Sequence, residues 1–250
     1  MKVPMPIPKK LHYVWLGGRP LPKHFARYVA GWTRQNPTFE ILRWDESNID
    51  WTCAYTRAAH EAGAWAKLSD LVRLRAVYEH GGIYLDTDVE LVRPLDPLLE
   101  NQCFFAYQSV REEDEPICNA VFGAAPRDPF LRAILNRFPI ELRENFNTTG
   151  TGPEIVSALL REMGLPRCPD ALTRVGNVTV YPRASFYPYH WTEDFERSCI
   201  TPDTYGVHHW DMSWHGDKSI LRGLIKGQLK RFPAIHRGVR RAYRRLGLGG

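Results

Sequence analysis

The 250-residue sequence lacks any apolar run long enough to cross a membrane, and its first ten residues lack the apolar core of a signal peptide. Its five cysteines are scattered, odd in number and never arranged as C-x-x-C. This spacing argues against a zinc ribbon or a disulfide framework and is typical of a reducing compartment. We therefore expect a cytoplasmic protein, either free or peripheral on the cytoplasmic face of a membrane.

Acidic residues are missing from the end of the chain. None follows Asp217, whereas residues 218–250 hold ten Lys and Arg, which leaves 23 basic against 28 acidic residues elsewhere. Apolar residues recur at helical spacing on both sides of Pro233, so the pattern predicts two short basic amphipathic helices. We expect residues 1–217 to form one domain, with residues 218–250 as a basic helical tail. Such a tail suits an anionic membrane surface, and a solvated helix docked on the acidic body is the alternative.

What is present is the composition of a globular domain, with 44% hydrophobic and 24% charged residues. Strand-like and helix-like periodicities alternate through its first half. The patterns predict strands at 11–16, 39–44, 83–85, 103–107 and 118–124, and helices at 22–35, 55–62, 65–79, 129–138 and 153–163. The initial β-α-β-α-β order predicts an α/β fold with a Rossmann-like, doubly wound sheet, in which ligands bind beyond the carboxyl ends of the strands.

The acidic triplet Asp86-Thr87-Asp88 follows the predicted strand 83–85. Two carboxylates one residue apart at a strand end can share a hard divalent cation, which in turn binds diphosphate oxygens. A D-x-D string alone is common by chance and usually marks solvated acids of a turn. Gly81 and Gly82 before the strand are expected to end the preceding helix with a left-handed cap and to let the backbone pass close to a ligand.

Asp70 and Arg73 lie three residues apart on the predicted helix 65–79 and therefore share one of its faces. An ordinary ion pair explains this spacing as well as a binding role does. In the functional interpretation, Asp70 accepts hydrogen bonds from sugar hydroxyls and Arg73 contacts sugar or phosphate.

Three blocks in this order and spacing resemble glycosyltransferase family 32, namely IPKKLHYVWLGG at 7–18, LSDLVR at 68–73 and GGIYLDTD at 81–88. The family contains capsular-polysaccharide and lipooligosaccharide sugar transferases. It is similar to the catalytic domains of glucosylating bacterial toxins and to eukaryotic α-1,4-galactosyltransferases. Later stretches at 119–124, 147–154 and 207–214 extend the resemblance.

The resemblance implies a GT-A fold, a Mn²⁺ or Mg²⁺ cofactor and retention of the donor sugar's anomeric configuration. Because the sequence shows no carboxylate placed as a covalent nucleophile, we expect front-face substitution, in which the acceptor hydroxyl attacks from the side of the leaving group. The resemblance also implies a hexosyltransferase of bacterial polysaccharide biosynthesis. The donor would be a nucleotide diphosphate sugar, UDP-galactose or UDP-glucose in preference to GDP-mannose. The acceptor would be a hydroxyl of a glycan or a lipid-linked glycan.

Carried over by position, the resemblance assigns catalysis to Asp86, Asp88 and Asn119, with Asn119 facing the donor sugar. Asp88 would bind the metal directly, while Asp86 would contact sugar, ribose or a metal-bound water. Trp15 would stack on the nucleotide base, and a core ring at a strand end is the alternative. The other donor contacts that it implies are Asp70, Arg73, Tyr84, Gly82, Gly152 and, at the leaving phosphate, Trp214.

The metal site implied by the resemblance is completed from far downstream. His208, preferred to His209, and Ser213 would join Asp86 and Asp88 as ligands. A histidine pair is more often structural, but a metal held by one strand end needs further ligands.

Two rival functions use parts of this pattern. A haloacid-dehalogenase-like phosphatase also has D-x-D after an apolar strand, but it needs a downstream acidic pair, and no Asp-Asp dipeptide occurs here. A non-catalytic module that binds nucleic acid through the basic tail would leave the first two hundred residues unexplained. We therefore expect an enzyme with no nucleic-acid partner.

Overall fold

The computed structural model describes residues 6–111, 114–138, 152–166 and 170–211. The described strands are β1 (Lys10–Val14), β2 (Glu40–Trp44), β3 (Gly82–Leu85), β4 (Val89–Leu91), β5 (Cys103–Tyr107), β6 (Ile117–Ala124), β7 (Thr173–Val175), β8 (Val178–Tyr181) and β9 (Gly206–His208). The described α-helices are α1 (Lys23–Gln35), α2 (Ala54–Glu61), α3 (Trp65–His80), α4 (Pro129–Leu135) and α5 (Gly152–Glu162). All ten predicted strands and helices are confirmed, with ends shifted by at most three residues.

Seven strands form one mixed sheet in the order β2-β1-β3-β6-β5-β8-β7, and β4 pairs with β9 in a separate ribbon. β1 is parallel to β2 and β3, whereas β6 is antiparallel to its neighbours β3 and β5. β5 therefore runs in the same direction as β3. The carboxyl ends of β1, β3 and β5 and the amino end of β6 meet at one edge of the sheet, which we call the upper edge.

Apolar side chains cover both faces of the sheet. Residues of α2, α3, α4 and α5 pack with Tyr84 and Phe122 on one face, and α1 packs with Ile83 and Leu85 on the other. Because successive strand residues point to opposite faces, Tyr84 lies toward α3 while its two neighbours lie toward α1. The doubly wound α/β arrangement expected from the sequence is confirmed.

Four strands were not predicted from the sequence, namely β4, β7, β8 and β9. Each has only three or four residues. A strand of three or four residues contains at most two repeats of the alternating apolar and polar pattern. That pattern is too short to predict the strand from the sequence.

Gly81 follows the last residue of α3, so glycine ends this helix as predicted, but the cap geometry and the close contacts of the two glycines differ from those expected. Gly81 has φ 61° and ψ 176°, so its φ is positive but its ψ is not that of a left-handed cap. A Cβ at Gly81 would lie 2.7 Å from a side-chain carbon of Pro126, and one at Gly82 would lie 2.7 Å from the carbonyl oxygen of Lys10. Both glycines therefore allow close packing of the protein on itself at the lower edge of the sheet.

The predicted tail at 218–250, together with Ser213 and Trp214, lies outside the described residues. Within the described part of the chain, no helix combines the length and the apolar character needed to cross a bilayer.

Candidate active site

The acidic triplet lies at the upper edge, where β3 ends. The Asp86 N–H donates a hydrogen bond to the carbonyl oxygen of Ala120 at 2.8 Å, which holds the triplet against β6. Because β6 is antiparallel to β3, its amino end lies at the same edge and brings Asn119 beside the triplet. Asp86 and Asn119, 33 positions apart in sequence, thus belong to one site.

Asp86 has the same strand parity as Tyr84 and turns toward α3. The Tyr84 hydroxyl donates to Asp86 Oδ1 at 2.7 Å, and Arg73 Nη1 lies 3.1 Å from the same oxygen. The guanidinium of Arg73 also covers the Tyr84 ring, 4.6 Å from its centroid. Asp86 is therefore held by a cation and a hydroxyl on the α3 side.

Asp88 is held from the opposite side, by the segment that contains β9. Val89 pairs with His208 in the β4–β9 ribbon, which sets the imidazole beside Asp88. His208 Nε2 lies 3.3 Å from Asp88 Oδ1 and 4.0 Å from Asp86 Oδ2. The main-chain N–H of Asp211 donates to Asp88 Oδ2 at 2.7 Å.

Asp86, Asp88 and His208 offer ligand atoms that all lie within 4.8 Å of one another. Carboxylate oxygens with one imidazole suit a divalent cation such as Mn²⁺ or Mg²⁺. Charge also favours a cation, because Asp70, Asp86 and Asp88 bring three negative charges and Arg73 only one positive charge into this largely buried region. His208, even when protonated, leaves the group negative.

Burial and neighbouring charges shift the pKa values of Asp86, Asp88 and His208, and the shifts differ in direction. Burial raises the pKa of Asp86, with Asp88 adding to the effect and Arg73 opposing it. Burial also acts to raise the pKa of Asp88, but His208 and the Asp211 N–H outweigh it, so this pKa is lowered. The pKa of His208 is raised, because the attraction of Asp88 exceeds the cost of burying the charged imidazole.

Asp70, from the second turn of α3, joins Asn119 to the start of α5. Its Oδ1 accepts from Asn119 Nδ2 at 2.8 Å, and its Oδ2 accepts from the main-chain N–H of Gly152 at 3.1 Å. A Cβ at Gly152 would collide with the Asn119 amide, so glycine is required for this close approach. The three residues form one buried polar unit beside the triplet.

Arg73 is buried and its donors are used within the protein. It donates to Asp86, to the carbonyl oxygens of Asn119 and Ser69, and to Ser69 Oγ at 2.9 Å. Its distance to Asp70 Oδ1 is 3.5 Å, so the i,i+3 ion pair allowed by the spacing does form. Arg73 thus crosslinks α3, β3 and β6 beneath the site.

A family model for the "Glycosyltransferase sugar-binding region containing DXD motif" matches residues 22–105, a range that includes Asp70, Arg73, Asp86 and Asp88. Residues 22–105, about a third of the chain, therefore resemble the sugar-binding region of this glycosyltransferase family. The resemblance seen in the sequence is thereby confirmed.

Two curated relatives illustrate the family. The chain is 29% identical over 173 residues to the alpha-1,4-N-acetylglucosaminyltransferase of Homo sapiens, covering 62% of this chain and 45% of that protein. It is 24% identical over 214 residues to the lactosylceramide 4-alpha-galactosyltransferase of Pongo pygmaeus, covering 80% of this chain and 93% of that sequence. The chain spans less than half the length of the human relative.

A solved structure supports the fold. PaToxG glycosyltransferase superposes with a TM-score of 0.52 over 64% of this chain and 70% of that chain, at 16% sequence identity. Likeness at this identity concerns the fold alone. The GT-A fold expected from the sequence is confirmed.

Most of the predicted site residues that the structure describes come together at the upper edge. The group comprises Asp70, Arg73, Tyr84, Asp86, Asp88, Asn119, Gly152 and His208. Gly82 is separate, because it lies at the opposite end of β3. Trp15 follows β1 at the upper edge, is buried against Phe25 at a ring distance of 5.9 Å, and donates its indole N–H to the Arg19 carbonyl. Its predicted contact with the nucleotide base stays a prediction, as do those of Ser213 and Trp214.

The two neighbouring histidines point apart, as successive residues of a strand do. His209 Nε2 lies 3.0 Å from Glu90 Oε2, and its ring stacks on Tyr28 at 5.1 Å. His208, and not His209, is therefore the histidine that lies with the aspartates.

Several residues that complete the site could not be predicted from the sequence. The Asp211 N–H reaches Asp88 through a main-chain contact that no side-chain pattern encodes. Tyr187 and Trp210 place their rings 5.5 Å and 4.5 Å from the His208 ring. Aromatic residues crowd positions 186–191 and 205–210, but their density alone does not predict which of them flank the site.

Proposed function

We propose that the protein is a retaining, metal-dependent glycosyltransferase that moves a hexose from a nucleotide diphosphate sugar to a hydroxyl of a glycan or glycolipid. The observation that carries this proposal is the juxtaposition of Asp86, Asp88 and His208 with the polar unit of Asp70, Asn119 and Gly152. The first group, with two carboxylates and an imidazole, suits a divalent cation that binds the donor's diphosphate. The second group suits the hydroxyls of the donor sugar.

Mn²⁺ or Mg²⁺ would be held by Asp88 and His208. Asp86 would be a further ligand or would accept a hydrogen bond from a metal-bound water. When bound, such an ion stabilises the negative charge that develops on the leaving diphosphate. The fit rests on the three convergent ligand atoms and on the excess of carboxylates over Arg73.

The remaining residues would orient the donor. Asn119 and Asp70 supply an amide and a carboxylate group beside the triplet. The hydroxyls of a bound sugar can form hydrogen bonds with these groups. Arg73 and Tyr84 hold Asp86 in place, so its carboxylate cannot turn away from the metal side.

Front-face substitution is the proposed route to retention. Asp70 is the carboxylate nearest to Asn119, and both of its oxygens accept N–H groups, which lowers their reactivity as nucleophiles. In the front-face route the acceptor hydroxyl attacks from the side of the leaving diphosphate, and the diphosphate departs with the bonding electron pair and can take up the hydroxyl proton.

Donor and acceptor classes follow from the relatives as proposals. Their names specify alpha-1,4 products with N-acetylglucosamine or galactose, and lactosylceramide as one acceptor. Because UDP-galactose, UDP-glucose and UDP-N-acetylglucosamine carry the sugar in the α configuration, an α product requires retention. UDP-galactose and UDP-glucose remain the proposed donors. We also propose that the enzyme works in the cytoplasm or at the cytoplasmic face of a membrane, as part of bacterial polysaccharide biosynthesis.

The test is hydrolysis of a panel of nucleotide sugars with Mn²⁺ and no acceptor. We expect slow turnover of one donor by the wild type and its loss, by about a thousandfold or more, in Asp88→Asn. Asp96→Asn is the matched control, because Asp96 is half exposed and pairs with Lys9 away from the site. Circular dichroism checks that both variants are folded.

Full turnover in Asp88→Asn, or undiminished turnover after exhaustive chelation, would contradict the metal role. Hydrolysis of simple phosphomonoesters would favour the phosphatase alternative, and absence of donor binding would favour a non-catalytic module.

A further inference from the structure

Strand β6 departs from regular pairing beside the candidate site. Phe104 of β5 pairs with Gly123, but Ala106 pairs with Cys118, so two steps along β5 correspond to five steps along β6. We call residues 119–122 the β6 bulge. A bulge turns side chains away from the directions that regular alternation would give them, and bulges are frequent beside active sites.

The β6 bulge gives Asn119 its direction. Ala120 and Val121 both pack in the apolar cluster on the α1 face, although successive residues of a regular strand point to opposite faces. Asn119 is turned the other way, because its amide donates to Asp70 of α3 at 2.8 Å. The side chains of Asn119 and Asp86 therefore lie on the same side of the sheet, where the candidate site is.

Main-chain contacts hold the β6 bulge in this shape. Two of them come from Arg73 and Asp86, whose N–H groups donate to the first two carbonyl oxygens of the bulge at 3.1 and 2.8 Å. The third comes from Tyr187, whose hydroxyl accepts the Val121 N–H at 3.2 Å. Burial raises the pKa of this hydroxyl, and the neighbouring Cys118 thiol adds to the effect. Tyr187 thus lies against the residue before the bulge and against a residue within it.

Tyr187 is itself fixed by the segment that supplies the metal ligand. Its side chain is fully buried, and its ring lies 5.5 and 5.6 Å from the rings of His208 and Trp210. The main-chain N–H of His208 donates to the carbonyl oxygen of Phe186, the residue before Tyr187, at 2.9 Å. A ring enclosed in this way keeps one position, so its hydroxyl meets the Val121 N–H at a fixed point.

Resting on the proposed function, we propose that Tyr187 is a positioning residue of the transfer reaction. Its hydroxyl fixes the β6 bulge, and the bulge directs the Asn119 amide toward the donor sugar. Tyr187 acts through Asn119, because its own side chain is fully buried and cannot contact the donor. The same ring packs on His208, so the sugar side and the metal side of the site are held in one frame.

A double-mutant cycle in the full chain tests this proposal, with hydrolysis of a radiolabelled donor in Mn²⁺ and no acceptor as the readout. Tyr187→Phe removes only the hydroxyl and keeps the ring. We expect it to lower kcat by about tenfold in the wild-type background but by less than about twofold in Asn119→Ala, where no amide is left to position. The Mn²⁺ dissociation constant should change by less than about twofold, since the ring still packs on His208.

Tyr181→Phe is the matched control. Tyr181 packs against the same apolar cluster, and its hydroxyl accepts from Asn101 Nδ2 at 3.0 Å. Asn101 precedes β5, at the opposite end of that strand from the site. The substitution therefore removes the same atom without touching the bulge, and kcat should stay within about twofold of the wild-type value.

Hydrogen exchange measured by NMR tests the contact without any activity. Because the Val121 N–H donates to Tyr187, Tyr187→Phe should speed the exchange of this N–H by about tenfold or more. Tyr181→Phe should leave its exchange rate unchanged.

Equal losses of kcat in the wild-type and Asn119→Ala backgrounds would show that Tyr187 has a structural role only, and would overturn the inference. An unchanged exchange rate of the Val121 N–H overturns it as well, and so does a loss of Mn²⁺ affinity as large as the loss of kcat. A wild type that hydrolyses no nucleotide sugar contradicts the proposed function itself. The assignment of Tyr187 to that reaction then falls with it, even where the exchange result is the expected one.

Discussion

The two ends of β3 each hold a buried histidine, and the two differ in the charge of their partners. At the lower edge, His12 Nε2 lies 2.8 Å from the Gly81 carbonyl, and His12 Nδ1 accepts from the Trp44 indole at 3.0 Å. At the upper edge, His208 Nε2 faces Asp88 at 3.3 Å and Asp86 at 4.0 Å. One ring has neutral partners on both nitrogens, and the other faces two carboxylates.

This difference reverses the effect of burial on the two rings. Burial lowers the pKa of His12 to about 4, since the Gly81 carbonyl only partly offsets the loss of solvent. Burial opposes charge on His208 as well, but the carboxylates raise its pKa. A buried histidine with neutral partners is thus a packing element, whereas one that faces unneutralised carboxylates marks a place for a cation.

The largest effect is expected from removing Arg73, the buried cationic side chain at the upper end of β3. Arg73→Met leaves Asp86 and Asp70 without their buried partner and should lower the free energy of unfolding by about 3–5 kcal/mol. Urea unfolding without metal measures it. The matched control is Arg75→Met, two residues along α3, whose ion pair with Asp50 is partly exposed and should cost less than about 1 kcal/mol. Equal losses in the two variants would show that the upper end is not held by charge.

The lower end should respond to pH through His12. Its pKa is 6.5 when unfolded and about 4 when folded, so the unfolded chain binds the proton more readily. The stabilising contribution is complete above pH 6.5 and is lost as pH falls toward 4, by about 3 kcal/mol. Unfolding free energies measured across that range should show this loss in the wild type and lack it in His12→Gln.

Because other groups titrate in the same window, the informative quantity is the difference between wild type and variant. His24→Gln is the control, since His24 is about half exposed. A pH profile for His12→Gln that parallels that of the wild type would refute the neutral, buried role of His12.

The smallest effect separates the two adjacent histidines. His208→Gln should weaken Mn²⁺ binding by roughly a hundredfold, at least as much as the loss of an outer partner of a metal ligand does. His209→Gln, which loses contacts with Glu90 and with the Tyr28 ring but none with the aspartates, should change the Mn²⁺ dissociation constant by less than about threefold. Calorimetric titration with Mn²⁺ compares them, and equal affinities would remove His208 from the ligand set.

Strong periodic patterns made much of the fold predictable. Helices α1 and α3 and strands β3, β5 and β6 follow from runs of apolar residues that are long or bounded by glycine, and the acidic triplet follows directly from the end of β3. The short strands β4 and β9 were not predictable, although their pairing is what brings His208 to Asp88. Local sequence patterns cannot predict a contact between two residues that lie 120 positions apart in the chain.

The sequence by itself determined the α/β class, the resemblance to a glycosyltransferase family and the identity of the acidic pair, because local periodicity and a few spaced blocks encode them. Only the tertiary structure decided what the buried groups do. It showed that Arg73 supports Asp86 from below, that Gly82 packs on β1, and that Asp70 holds the start of α5. The physical reason is that burial and charge compensation depend on which distant residues meet at a strand end, and that is fixed by sheet order and register.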